Sequence, residues 1–289
     1  MKRVLIVGSG DVARRALPWL VRRFKVFALT RSRESCAVLR ALGATPLTGD
    51  LDDRGTLARF AGLADIILHF APPPSSGNTD TRTRNLLATQ MLRGSLPQRL
   101  VYISTTGVYG DCGGVLVHET RPCRPRNARA LRRVDAEQRL RAFGVRNGVT
   151  VSILRAPGIY ASDRLPVERL RRGDPVLTAD DDVFTSHIHA DDLAMLACRA
   201  IFRAAPGRIY NAADDTRLKM GEYFDLAADF FALTRPPRMS RTEIVAHLSP
   251  MALSFMSESR RLDNTRIGRE LGYRLVYPTV RDGFVAART

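Results

Sequence analysis

The stretch Val4-Leu5-Ile6-Val7-Gly8-Ser9-Gly10-Asp11-Val12-Ala13 decides how this chain folds. Four apolar residues, three of them β-branched and stopped by a glycine, read as a short parallel strand buried on both faces. The six residues that follow have the spacing G-x-G-x-x-A where a helical pattern begins. Gly8 and Gly10 permit a tight turn and a close approach of backbone to a pyrophosphate, and Ala13 is small enough for the helix to lie against the strand. The helix start turns free N–H groups and the positive end of its dipole toward that anion. The stretch predicts a dinucleotide-binding Rossmann half, with Gly8, Ser9, Gly10, Asp11 and Val12 at the phosphates.

Outward from this turn, a helix is expected over residues 12–24, a strand over 26–29, a helix over 34–42 and a short strand over 45–47 leading into Gly49-Asp50. Residues 65–69 supply a fourth strand, 83–93 a helix and 100–104 a fifth strand. Another strand, 150–154, follows a helix ending near Phe143. Alternation of this kind requires βαβ crossovers and a doubly wound parallel sheet, placing the chain in the α/β class. From about Gly173 the alternation weakens, and Pro166, Pro175, Asp180-Asp181-Asp182 and Pro236-Pro237 mark loops. Ile188-His189 and Arg208-Ile209-Tyr210-Asn211 look like late returns to the sheet. The expected division is a Rossmann domain of residues 1–172 plus 186–215, and a smaller substrate lobe of residues 173–185 plus 216–289.

Composition limits the functional classes. With 289 residues, 45% of them apolar, the chain fits one α/β domain with an appended lobe. No run approaches the ~18 apolar residues of a membrane-spanning helix, and Met1-Lys2-Arg3 leads directly into a strand, so a cytoplasmic protein with no membrane partner is expected. Cys36, Cys112, Cys123 and Cys198 form no C-x-x-C pair, so neither a disulfide framework nor a metal site is suggested. A net charge of +16 would ordinarily point to nucleic acid. Here the cations are spread along the chain and are nearly all arginine, the lysines being Lys2, Lys25 and Lys219. No nucleic-acid partner is expected; a basic surface would instead attract phosphorylated small molecules.

The end of the second strand normally separates the two pyridine nucleotides, because an acid there accepts hydrogen bonds from the adenosine ribose and repels a 2′-phosphate. This chain has Thr30-Arg31-Ser32-Arg33. Arginine forks onto phosphate with paired, charge-assisted bonds, so NADP is preferred with NAD possible, Arg31 being the main contact and Arg33 a second.

Further segments fall in a telling order: Gly49-Asp50-Leu51, His69-Phe70-Ala71-Pro72, Ser104-Thr105-Thr106-Gly107-Val108-Tyr109-Gly110-Asp111, Glu119 with Pro122 and Pro125, Leu154-Arg155-Ala156-Pro157-Gly158-Ile159-Tyr160, Ile188-His189-Ala190-Asp191-Asp192 and Tyr210-Asn211. The series resembles the extended short-chain dehydrogenase/reductases, also called NAD-dependent epimerases/dehydratases, over nearly the whole chain. The resemblance implies further cofactor contacts at Asp50, Leu51, Phe70, Ala71, Pro72, Ile103, Pro157 and Ile159, and a carbonyl-binding hydroxyl at Thr105.

The active site departs from the family pattern. Counting back from Glu137, Arg129 stands where the family places its catalytic tyrosine and Arg133 where it places the lysine. A phenol exchanges a proton with the substrate oxygen, helped by the lysine, whereas a guanidinium does not titrate near neutrality. Arg133 retains the ability to donate to ribose hydroxyls or phosphate. Tyr109, His118, Tyr160 and His187 come from segments expected to border the cleft and are the candidate replacements. Two functions follow. One is an NAD(P)-dependent oxidoreductase or epimerase/dehydratase-like enzyme acting on a polar substrate, a nucleotide sugar or small carbonyl. The other is a catalytically silent NADP(H) sensor that passes its state to a regulatory protein partner. A homodimer through the helices around Leu86, Met91, Leu131 and Leu140 is a further expectation.

Overall fold

The first strand, Arg3–Val7, has every residue after Arg3 shut off from solvent, as a strand covered on both faces requires. The structure is a computed structural model and describes residues 1–288. In chain order its strands are β1 (Arg3–Val7), β2 (Lys25–Thr30), β3 (Thr45–Thr48), β4 (Ile66–His69), β5 (Arg99–Thr105), β6 (Leu116–Val117), β7 (Thr150–Ala156), β8 (Gly158–Tyr160), β9 (Val176–Leu177), β10 (His187–His189), β11 (Arg208–Asn211), β12 (Arg238–Met239) and β13 (Arg261–Leu262). The α-helices are α1 (Asp11–Leu20), α2 (Arg33–Ala41), α3 (Thr81–Gln90), α4 (Ala128–Asn147), α5 (Val167–Arg171), α6 (Ala190–Arg203), α7 (Met220–Phe230), α8 (Pro250–Met256), α9 (Thr265–Leu271) and α10 (Val280–Ala286).

Seven strands make one parallel sheet in the order β3-β2-β1-β4-β5-β7-β11. The order reverses between β1 and β4, where Val7 lies opposite His69, and chains leaving the two strand ends diverge to open a crevice. On one face α1, α6 and α9 bury Leu17, Leu20, Leu193, Leu196, Ile267 and Leu271 against Val4, Ile6 and Leu68. On the other, α3 and α4 bury Leu86, Leu140 and Phe143 against Leu5, Ile67 and Tyr102. Side-chain caps fix where the helices start: Asp80 accepts from Thr83 N at 3.0 Å before α3, and Asn127 from Ala130 N at 2.9 Å before α4. Gly148, at φ 66°, ends α4 in the left-handed region.

A separate apolar cluster builds the lobe, centred on Leu170, Val176, Met220, Tyr223, Phe224 and Phe284. Packing crosses the division expected from sequence in both directions. Tyr160 and Leu170, expected in the Rossmann domain, join the lobe core, while Ile267 and Leu271, expected in the lobe, complete the Rossmann core. The physical reason is placement: α9 packs against α6 and β11, which carries Ile267 and Leu271 into the apolar cluster on that face of the sheet. Three parallel two-strand pairs, β8 with β10, β9 with β12 and β6 with β13, stitch the connections together. Among the described residues no helix is long and apolar enough to cross a membrane.

Candidate functional site

Two clefts lie along the carboxyl edge of the sheet. The first, of about 310 Å³, sits over the ends of β1 and β2 and the turn after β4. Gly8 has φ 97°, and a Cβ there would stand 2.3 Å from the amide nitrogen of Ala71. Only glycine fits, because Phe70 N and Ala71 N both donate to Val7 O, at 2.7 and 2.9 Å, and bolt the turn after β4 onto the end of β1. Ser9 Oγ donates to Leu29 O at 3.1 Å, tying the glycine turn to β2. Gly10 is different: nothing lies within 4 Å of where its Cβ would be, so the space above the start of α1 is open. This is a cradle of the size and polarity a pyrophosphate needs, and the residues present fit a dinucleotide. Val12 faces inward and packs on the sheet core.

Asp11 would place a carboxylate beside that anion, but its charge is taken up. Arg15 Nε donates to both of its oxygens, at 2.9 and 3.0 Å, and Arg164 from the loop after β8 also pairs with it. Arg15 reaches on to Asp191 at the start of α6, 2.7 Å away. Lobe loop, glycine turn and α6 are thus held by one network of ion pairs.

At the far end of this cleft stand Arg31, Ser32, Ser35, Asp50 and Leu51. Arg31 is exposed, its nearest acid being Asp50 at 3.9 Å. Asp50 is otherwise engaged in accepting from Asp52 N at 2.9 Å. Ser32 Oγ caps α2 by accepting from Ser35 N at 3.3 Å. Arg33 begins α2 and is not among the residues lining the cleft. Two arginines that the sequence reading passed over do line it. Arg82 is clamped by Asp52 at 2.9 and 2.7 Å, and Arg14 is exposed with no acid in ion-pair reach among the described residues. The signal for Arg14 was its position four residues after Gly10, one helical turn along the same face. Ala71 and Pro72 form the near wall, while Phe70 packs on the sheet core.

The second cleft, of about 410 Å³, lies between the sheet edge and the lobe. Pro157 and Ile159 line it, as do Thr106 and Arg129. Thr105 sits in a narrow adjoining cavity with Arg129, Phe255 and Glu258, and its Oγ1 accepts from Gly107 N at 3.2 Å. Arg133 is turned into the protein: its Nη1 donates to Ile103 O and to the Tyr102 hydroxyl, each at 2.8 Å. Ile103 itself is buried in the sheet core. Arg129 instead lies over the ring of Phe255, 5.0 Å from its centroid. Arg129 and Arg133, the positions expected to correspond to the family's tyrosine and lysine, therefore hold guanidiniums pointing in different directions.

The candidate replacements separate clearly. Tyr109 is fully buried and donates to Asn211 Oδ1 at 2.7 Å, and Tyr160 donates to Thr279 O at 3.2 Å. His118 pairs with Asp263 at 3.1 Å near the surface, and His189 accepts from Asp191 N at 3.2 Å while stacking on Tyr277. His187 alone of these lines the second cleft, stacked on Tyr223 with centroids 4.2 Å apart. Its Nδ1 has no partner, and burial pulls its pKa down to about 4, so the ring is neutral near pH 7.

Beneath the cleft, Arg155 on β7 is locked to Glu137 on α4 at 2.6 Å, with Ser104 Oγ donating to the same carboxylate at 2.6 Å. Asn211 joins this scaffold by donating to the carbonyls of Val117 and Asp263, both at 3.0 Å. These polar residues from the ordered series of segments brace the sheet edge on which the cleft is built.

Comparison with known proteins matches residues 4–213 to the NAD dependent epimerase/dehydratase family. A ketoreductase of Stigmatella aurantiaca, named for 4-hydroxy-2-methyl-3-oxo-4-farnesyl-3,4-dihydroquinoline-1-oxide, is 29% identical over 242 residues, covering 78% of this chain and 72% of its own. A solved structure of a functionally unknown conserved protein from Silicibacter pomeroyi superposes with a TM-score of 0.84 at 30% identity, covering 100% of this chain and 98% of the other. A double mutant of dTDP-glucose 4,6-dehydratase from Streptomyces venezuelae, solved with NAD bound, gives a TM-score of 0.80 at 22% identity, covering 100% and 96% of the two chains.

Proposed function

Since this chain belongs to the NAD dependent epimerase/dehydratase family, we propose that it is an NADP(H)-dependent oxidoreductase acting on a carbonyl or other polar substrate in the second cleft. The observation that carries the cofactor choice is the arginine pair Arg14 and Arg31 lining the end of the first cleft with Ser32 and Ser35, in a place where an acid would repel a 2′-phosphate. Gly8 and Gly10 would hold the pyrophosphate, and Pro157 and Ile159 would border the nicotinamide. The bound nicotinamide supplies or accepts the hydride.

In the second cleft Arg129 is the cation available to face a substrate oxygen, and Thr105 Oγ1, in the narrow adjoining cavity that Arg129 also lines, has its proton free for donation, since it accepts from Gly107 N. Arg133 fixes the end of β5 by holding Ile103 O. The ketoreductase relative supports hydride transfer to a carbonyl as the reaction type. One observation favours the silent sensor as a second reading: no phenol occupies the position of Arg129, and Arg133 is spent on the backbone.

Fluorescence titration with NADPH and NADH tests the cofactor assignment, and tighter binding of NADH would overturn it. Steady oxidation of NADPH with any member of a carbonyl panel excludes the silent sensor. Binding without turnover across the panel, together with partner capture that changes with cofactor redox state, excludes the enzyme.

A further inference from the structure

We propose that the second cleft takes a flat, largely apolar molecule carrying one negative charge, with Arg129 as its counter-ion. This rests on the reading of that cleft as the substrate site and goes beyond it in naming the substrate class.

The walls are aromatic and aliphatic. Phe184, Met220, Phe224 and Phe255 line the cleft, and the stacked pair His187 and Tyr223 forms a flat panel at one side. Burying such surface is favourable in proportion to the apolar area it meets, so a body with only hydroxyls to offer would forfeit most of what this lining provides. A planar ring system stacks on the panel and against the phenylalanines.

Charge then decides the rest. Three guanidiniums border the cleft, those of Arg129, Arg169 and Arg260. Arg260 is spent: its Nη1 donates to Glu258 at 2.6 Å and to Gly110 O at 3.0 Å. Arg169 has an acid in reach, Asp174 at 3.4 Å, which it shares with Arg172 at 2.6 Å, and it lies over the ring of Phe224 with its Nη2 buried and unpartnered. Arg129 has no carboxylate in ion-pair reach among the described residues, and its contact is the Phe255 ring. Burial and the neighbouring Arg133 draw its pKa below the usual arginine value, against the opposing pull of Glu258. Of the three, Arg129 is the one with no acid in ion-pair reach among the described residues, and one negative charge would match it. A nucleoside diphosphate brings two, one more than Arg129 alone would match.

The test uses the NADPH-loaded protein and isothermal calorimetry. The probes are benzoate, 2-naphthoate and indole-3-acetate, each paired with its neutral amide, and UDP-glucose and GDP-mannose stand for the doubly charged class. Expected is saturable binding of at least one monoacid, at least ~10-fold tighter than its amide, a gap of about 1.4 kcal/mol. Arg129→Gln should erase that gap by weakening the acid alone. Phe224→Leu should weaken acid and amide together, and thermal melts of both variants report that they fold. Equal binding of acid and amide, no saturation by any monoacid at millimolar concentration, or tighter binding of either nucleotide sugar overturns the proposal. NADPH titration of the same samples is read separately, so failure of the cofactor assignment is distinguishable from failure of the substrate class.

Discussion

Arg155 Nη2 lies 2.6 Å from Glu137 Oε2, and both side chains are at least nine-tenths buried. The pair joins β7 to α4, and Arg155 also covers the ring of Tyr109, 4.6 Å from its centroid. Removing one partner strands the other charge away from water. Arg155→Met should therefore cost about 3–5 kcal/mol in urea unfolding, whereas Glu137→Leu combined with Arg155→Met should recover much of that loss. A double variant as unstable as the two singles added together would show the pair not to be coupled.

The two glycines of the first turn answer to different constraints. Gly8→Ala forces a methyl to 2.3 Å from Ala71 N at a φ of 97°, so it should lower the melting temperature as well as abolish nucleotide binding. Gly10→Ala meets no protein atom and keeps a negative φ, so the fold should melt unchanged. Its methyl occupies the anion's space, and NADPH affinity should fall at least ~10-fold, a loss of about 1.4 kcal/mol. Fluorescence titration beside a thermal melt separates the two.

Arg31 is tested by Arg31→Ser. NADPH affinity should drop by ~10-fold or more, the loss of one charge-assisted contact, while NADH affinity stays within about twofold. An equal loss for both nucleotides would assign Arg31 to the shared part of the cofactor, away from the 2′-phosphate.

His187 makes stability depend on pH. Its pKa falls from 6.5 to about 4 on folding, so the unfolded chain binds the proton more tightly and stability is lost as pH drops through that window. Asp214 acts with the opposite sign, since burial raises its pKa well above the ordinary carboxylate value. A difference measurement removes it. His187→Phe keeps the stack on Tyr223 and should flatten the stability profile between pH 6.5 and about 4 by one proton, about 1.4 kcal/mol per pH unit. Urea midpoints at several pH values give the slope, and an unchanged slope would contradict a buried neutral ring.

Placing a titrating pair at the two positions expected to correspond to the family's tyrosine and lysine is the remaining variant. Arg129→Tyr with Arg133→Lys should raise carbonyl-dependent NADPH oxidation by ~10²-fold or more, the usual contribution of a positioned general acid. A fall in rate instead would show that the guanidinium of Arg129 does the work at that position.

The sheet was legible because its strands are short runs of buried β-branched residues punctuated by glycine, and the resulting order matches β1 through β5, β7 and β11. The pairing of β6 with β13 was not, since two residues carry no periodicity and the partners stand some 145 positions apart along the chain. Phe255 escaped notice for the same reason: nothing local ties it to Arg129 on α4. Arg155 did carry a signal in its own sequence. A charge at the end of Val151-Ser152-Ile153-Leu154 needs a buried partner, although only the fold identifies Glu137 as that partner. The inward turn of Arg133 depended on Tyr102, whose hydroxyl lies beneath the helix in a strand read only for its apolar run.

The packing of α9 sets an order on synthesis. Ile267 and Leu271 join α1 and α6 in the apolar cluster on one face of the sheet, and Arg266 adds a bond to Ile209 O at 2.9 Å. A ribosome that has delivered the first 215 residues has produced every strand of that sheet, but not its last covering helix. The nucleotide-binding half is therefore finished after translation has passed it, and until then a leucine-lined seam is open to chaperones.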